Sequence, residues 1–231
     1  MLSQDELERA IRFRFERHRN QFIIGRGILR TLLAHYLGIT PGEVHFRYGL
    51  KGKPYLADVK PPDSKGLKKP SGSEARQSLY IIQFNLAHAQ NLAIYALTLA
   101  KRVGIDLEYL RSIPEMEQIA AKFFSTRERE TLQNLPPDQK LEAFYNAWTR
   151  KEAYLKAIGE GLSHPLDQCE VTLAPGEPAQ LIHIAGDESL AAHWSLHAFS
   201  PAPGYVATLA VEGNPDCILF DQFSYTGVSS L

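Results

Sequence analysis

Apolar residues recur at helical spacing between Phe22 and Leu37, where Ile24, Ile28, Leu29, Leu32, Leu33 and Tyr36 form one stripe. That spacing predicts a helix, and Gly38 suits its C-terminal stop. Upstream, Ser3 followed by Glu6 has the form of a capping box, which predicts an earlier helix through roughly Arg17. Gly49 to Pro54 reads as a turn. Pro61 to Ser78 has no periodicity and is rich in Pro, Gly, Ser and Lys, as expected of a mobile surface insertion. Leu79–Leu86, Ala93–Leu99 and Val103–Leu107 are apolar and β-rich and read as strands. Helices are predicted near Glu115–Phe123 and Thr126–Leu135. A longer one is expected from about Asp138 to Ile158, opened by Pro136-Pro137 and ended by Gly159. Four strand candidates close the chain: Glu170–Leu173, Gln180–Ile184, His193–Phe199 and Tyr205–Val211. Helices followed by strands, twice over, predict a mixed α/β (α+β) protein with subdomains 1–103 and 104–231.

Composition narrows the class. The chain has 231 residues, 44% hydrophobic and 22% charged, ordinary values for a folded globular protein. No stretch approaches the length of a membrane helix and no apolar signal core opens the chain, so a cytoplasmic protein is expected. Cys169 and Cys217 are its two cysteines, too few for a disulfide framework or a thiolate zinc site. The formal net charge of -1 excludes a globally basic nucleic-acid binder. Charge is nonetheless uneven. Arg9, Arg12, Arg14, Arg17, Arg19, Arg26 and Arg30 cluster, with only Glu16 opposing them between Arg12 and Arg30. Such a patch fits phosphates, an acidic protein or RNA, and equally a solvated helix face.

Candidate chemistry begins at Gly104-Ile105-Asp106-Leu107-Glu108. On a strand, Asp106 and Glu108 point to one face, and paired carboxylates suit a hard divalent cation such as Mg²⁺. In the long helix, Trp148, Glu152 and Lys156 recur every four residues and share a face. Glu152 could complete a metal site or act as a general base, and Lys156 could hold a phosphate; a plain Glu–Lys surface pair has the same spacing. Asn85 and His88 follow a hydrophobic run, where either binding groups or turn residues are found. Lys51-Gly52-Lys53-Pro54 is a basic tight turn whose backbone could approach an anion.

Order and spacing together are more specific than any one element. Gly52-Lys53-Pro54, Phe84–Ala89, Gly104–Glu108, Phe123-Phe124-Ser125 with Glu128, Trp148–Lys156, Gly159-Glu160-Gly161-Leu162 and Pro203-Gly204-Tyr205 resemble the motifs of the Sfp-type 4′-phosphopantetheinyl transferases. The resemblance runs from about Leu7 to Val211. It implies two similar α/β halves related by a pseudo-twofold axis, with coenzyme A between them. It also implies a reaction in which a serine of an apo acyl or peptidyl carrier protein takes the phosphopantetheine arm and 3′,5′-adenosine bisphosphate leaves. By the same resemblance Asp106, Glu108 and Glu152 hold Mg²⁺, with Asp106, Glu152 and Lys156 catalytic and Glu152 the base. Arg26, Lys51, Lys53, Asn85, His88 and Lys156 are then the coenzyme A contacts. Phe123, Phe124 and Met116 are candidate carrier contacts, the Arg9–Arg19 patch could steer an acidic carrier, and a monomer is expected.

Two departures stand out. Ala87 and Ala89 replace the serines of the usual Ser-His-Ser, removing a possible hydrogen bond to coenzyme A but no metal ligand. The apolar strand usual before the Leu-Ser-x-x-Glu segment is also missing, which is expected either if the first half lacks an edge strand or if the sequence begins after it. Two other readings compete: a different Mg²⁺-dependent phosphoester enzyme using the same carboxylates, and a non-catalytic protein that binds coenzyme A or a carrier.

Overall fold

The computed structural model describes residues 1–57, 82–160 and 165–222. The Pro61–Ser78 segment, the strand start at Leu79 and Gly161-Leu162 lie outside the described residues. Its helices are α1 (Gln4–Ile11), α2 (Glu16–Leu37), α3 (Met116–Phe123), α4 (Thr126–Asn134), α5 (Pro137–Ile158) and the short α6 (Glu188–Ala191). Its strands are β1 (Phe46–Tyr48), β2 (Pro54–Leu56), β3 (Ile82–Ala89), β4 (Leu92–Leu99), β5 (Val103–Tyr109), β6 (Cys169–Val171), β7 (Leu181–Ile184), β8 (Trp194–Phe199) and β9 (Tyr205–Glu212). The mixed α/β class read from the hydrophobic pattern is therefore the class observed. Among the described residues, no helix is long and apolar enough to cross a membrane.

The chain forms two compact units. One holds residues 1–47, 56–57 and 216–222; the other holds 48–55, 82–160 and 165–215. β3 and β4, which the sequence reading assigns to the first half, belong to the same unit as β5.

In the first unit the expected helix boundaries shift. α1 stops at Ile11 rather than near Arg17, and α2 starts at Glu16 rather than Phe22. The capping box is present at Ser3, whose N–H donates to the Glu6 carboxylate at 2.9 Å. Tertiary pairing sets the break between the helices. The Phe13 and Phe22 rings meet at 5.5 Å. Glu6 is buried against α2, with Oε2 accepting from Arg30 Nε at 2.7 Å and Oε1 3.3 Å from Arg26 Nε. Arg30 also donates to the carbonyls of Pro41 and Val44, at 2.9 and 2.7 Å. Arg26 and Arg30 do share a helix face, as their spacing predicts, but that face is turned inward. The basic patch thus loses both: they neutralise Glu6, which their distance along the chain conceals.

The second unit is built around one close approach. β5, β9 and β8 form an antiparallel sheet with β9 central. β3 and β4 form an antiparallel hairpin, and β6 and β7 another pair. α5 packs on β5 and β9, with Thr149 Oγ1 and Thr208 Oγ1 3.0 Å apart in the buried seam. Gly104 allows this packing: a Cβ there would lie 2.0 Å from the Ala153 carbonyl oxygen and 2.3 Å from the Ala157 amide nitrogen. α5 ends as expected at Gly159, whose φ of 79° is the left-handed cap that glycine takes at least cost. The core on the other side of α5 is aromatic, with Phe144 stacked on Phe124 at 5.3 Å and on Trp148 at 6.2 Å.

That core corrects one expectation. Phe124 is 2% exposed and is a core residue, not a surface for a carrier. Phe123 packs edge-on to Trp148, and Met116 also packs against the core.

Two stability effects follow. Gly104→Ala must push β5 away from α5 and is expected to cost about 3 kcal/mol in urea unfolding, the upper range for overpacking. Glu6→Ala strands two buried guanidinium groups and is expected to cost about 3–5 kcal/mol. The exposed Glu8→Ala control should stay within about 0.5 kcal/mol.

Candidate active site

The face of β5 that meets α5 carries Gly104, Asp106 and Glu108, because alternate strand residues point the same way. On α5, Glu152 and Lys156 lie one turn apart, each next to an alanine that touches Gly104. The glycine contact therefore brings the carboxylates of β5 and the polar residues of α5 together. Lys156 Nζ lies 2.6 Å from Asp106 Oδ1. Nearer the start of α5, the Trp148 side chain stands close enough to Glu108 to favour its charged form. Strand and helix thus run in opposite directions, with contacts ordered Gly104 to Ala157, Asp106 to Lys156 and Glu108 to Trp148.

Charge is poorly compensated here. Burial pushes the Glu152 carboxyl up to about 7, and the Asp106 charge adds to the rise; Lys156 opposes it and Glu108 reinforces it. Glu108 is also raised, first by burial and then by Asp106, while Lys156, Arg111 and the nearby Trp148 side chain act the other way. The Asp106 charge thus acts on both Glu108 and Glu152. Asp106 is 5% exposed, and its Oδ2 is buried with no hydrogen-bond partner; Glu152 Oε1 is in the same condition. Buried anionic oxygens without donors are costly, and a hard cation is the partner their chemistry favours. As the side chains stand, no group of three or more His, Cys, Asp or Glu among the described residues has metal-holding geometry. Asp106 is turned to the Lys156 ammonium instead.

The expected cofactor residues divide into three groups. A cleft beside Lys156 is lined by Lys51, Lys53, Pro54, Phe84, Asn85 and Gly159, which brings four of them together. Two of those four are engaged with backbone. Lys53 Nζ donates to the carbonyls of Val103, Lys156 and Ala157 at 3.1, 2.5 and 2.9 Å. Burial pushes its ammonium down to about 8, with Arg102 contributing, although the three carbonyls favour the charged form. Asn85 Oδ1 accepts from Ile105 N–H at 2.9 Å. Lys51 is exposed on the turn, and His88 is exposed on β3, which runs on to Ala89 instead of ending at Leu86. Arg26 lies in the first unit, 7% exposed, with its guanidinium beside Glu6 and 4.8 Å from the Phe46 ring centroid.

Most of the polar motif residues are structural. Lys151 is 1% exposed, 2.7 Å from Glu128 Oε2, and donates to the carbonyls of Leu166 and Cys169. Glu128 Oε1 accepts from Val171 N–H at 2.8 Å, and Ser125 N–H donates to Oε2 at 2.7 Å. Arg150 donates to Thr172. Trp148, which shares the helix face of Glu152 and Lys156, packs its ring on Phe144 and stands near Glu108. Its place four residues before Glu152 was the available signal.

Comparison with known proteins gives the same answer in two regions. The 4′-phosphopantetheinyl transferase superfamily model matches residues 102–210, and the model for the N-terminal part of 4′-phosphopantetheinyl transferase matches residues 1–99. The 4′-phosphopantetheinyl transferase HetI of Nostoc sp. is 44% identical over 212 residues, covering 92% of this chain and 79% of that protein. The 4′-phosphopantetheinyl transferase of Bacillus subtilis is 31% identical over 172 residues, covering 74% and 66%. With carboxylates and a lysine gathered between β5 and α5, and relatives matched along nearly its whole length, the chain belongs to the 4′-phosphopantetheinyl transferase superfamily.

Proposed function

We propose that this protein moves the 4′-phosphopantetheine arm of coenzyme A onto a serine of an apo acyl or peptidyl carrier protein. The observation that carries the reading is the pair of buried, donor-free oxygens on Asp106 and Glu152 beside the Lys156 ammonium, in a chain of this family. In the reaction the serine Oγ forms a bond to the β-phosphorus of coenzyme A. The bond from that phosphorus to the bridging oxygen breaks, and 3′,5′-adenosine bisphosphate carries the electron pair away.

Asp106, Glu108 and Glu152 would hold the divalent ion, taken as Mg²⁺ because all three offer hard oxygen donors. The ion supplies charge neutralisation at the diphosphate oxygens. Everything else falls to the chain. Lys156, beside Asp106, would present a point charge to the phosphates. Glu152 takes the serine proton, directly or through a water. The coenzyme A contacts are Lys156 and Lys51 at the cleft together with His88. Lys53 and Asn85 border the same cleft with their polar atoms already engaged. Ala87 is 3% exposed within β3, its side chain on the opposite face of the strand from the exposed His88. The protein is taken to act as a monomer in the cytoplasm, in keeping with two unpaired cysteines. Subdomains 1–103 and 104–231 remain the proposed division, supported by the two matched regions meeting between residues 99 and 102.

Incubating the protein with coenzyme A, Mg²⁺ and a panel of apo carriers should add one phosphopantetheine to a carrier serine, read by intact mass. Unmodified carriers throughout the panel would overturn the reading in favour of a non-catalytic binder. EDTA should stop transfer and Mg²⁺ restore it; transfer that persists in EDTA removes the ion from the scheme. Glu152→Gln is expected to lower kcat at least ~100-fold while keeping the fold, by the usual magnitude of a lost general base. Near-normal turnover of that variant would remove Glu152 from its role.

A further inference from the structure

Two side chains expected to touch the cofactor hold backbone instead, and both hold the same strand edge. On the β9 side of β5, Glu212 N–H donates to the Arg102 carbonyl at 3.0 Å, and Leu110 N–H donates to the Gly204 carbonyl at 2.8 Å. Successive residues of a strand turn their backbone groups to opposite edges. Gly104, Asp106 and Glu108 therefore face β9, while Val103, Ile105 and Leu107 face away from it. β3 packs beside β5 but belongs to a different hydrogen-bonded sheet. On the edge away from β9, Ile105 N–H donates to Asn85 Oδ1, and the Val103 carbonyl accepts from Lys53 Nζ.

Lys53 reaches further. Its other two acceptors are the carbonyls of Lys156 and Ala157 in the last turn of α5. Those carbonyls have no partner within the helix, and a helix C-terminus favours a cation. An ammonium has three donors, and three carbonyls occupy them all, so none is left for a phosphate. Gly104 lies between the two attachment points, against Ala153 and Ala157.

We infer that Lys53 and Asn85 are positioning residues, which lock the outer edge of the strand carrying Asp106 and Glu108 to the end of the helix carrying Glu152 and Lys156. Asp106 follows Ile105 directly, and the carbonyl that Lys53 holds on α5 belongs to the lysine paired with Asp106. Without the two side chains, the strand and the helix end are free to shift against each other by amounts that matter to phosphoryl transfer.

The kinetic half of the test rests on the transferase reading; the exchange half does not. Lys53→Met and Asn85→Leu should each lower kcat at least ~30-fold and keep the KM for coenzyme A within about threefold, the pattern of a lost transition-state arrangement. Amide hydrogen exchange at Val103–Leu107 should quicken at least ~10-fold, while β8 keeps its protection. A KM for coenzyme A raised about tenfold with kcat retained would overturn the inference in favour of direct ligand contact. Unchanged kinetics, or unchanged exchange at Ile105, would overturn it as well. Should Lys53→Met not fold, Asn85→Asp decides: it keeps the acceptor for Ile105 N–H and should retain at least about a third of kcat, where Asn85→Leu does not. Equal loss in both Asn85 variants would sink the inference. Where the wild-type protein modifies no carrier, the transferase reading fails and exchange at Val103–Leu107 alone still decides the positioning role.

Discussion

A β-strand and an α-helix rarely come close enough for backbone to touch backbone, and here they do so at Gly104. Even a methyl group at that position would overlap the Ala153 carbonyl and the Ala157 amide. The side chains one step further along the strand and one turn back along the helix are thereby fixed relative to each other. Asp106 meets Lys156, and Glu108 meets Trp148. A site that places charge against a diphosphate depends on spacing more than on the strength of any one group. Lys53 and Asn85 act on the same strand, holding the edge that the sheet leaves open.

The buried carboxylates of this chain fall into two kinds. Glu128 has both oxygens supplied with donors, from Lys151, Val171 and Ser125, and it joins α4, α5 and β6 into one core. Glu6 joins α1 and α2 through ion pairs with Arg26 and Arg30, although its Oε1 has no hydrogen-bond partner. Asp106 is buried and Glu152 half-buried, and each keeps a buried oxygen without a hydrogen-bond partner. Leaving a buried acceptor unmatched costs about 1–3 kcal/mol, a cost that a cation bound between the two carboxylates would relieve. Two guanidinium groups face the one carboxylate of Glu6, whereas Asp106 and Glu152 share the single Lys156 ammonium near them.

The same distinction divides the helical motif. Of the polar residues from Trp148 to Lys156, Thr149, Arg150 and Lys151 are buried against Thr208, Thr172 and Glu128. Glu152 and Lys156 look out over β5. A helix packed on both sides needs polar residues that satisfy carbonyls and carboxylates in its core as well as those that meet a ligand. Their mixture in one short segment is what makes the segment recognisable.

The pattern of apolar positions was enough to find the longer elements of the second unit, down to the glycine that ends α5, because helical and strand periods report which face is buried; the short β2 and α6 carry too few residues to show a period. The pairing of Asp106 with Glu108, and of Glu152 with Lys156, was also legible, since residues two apart on a strand and four apart on a helix must share a face. What no local pattern could state was which groups partner them. Arg26 and Arg30 read as a basic surface, but Glu6 lies 24 positions from Arg30 and turns them inward. Lys53 read as a ligand for phosphate, but three carbonyls more than 45 positions away take its hydrogens. Local sequence determines the direction in which a side chain leaves its element. Only the packed chain decides what stands at the other end, because hydrogen bonds and charges act through space and the fold brings distant segments within their reach.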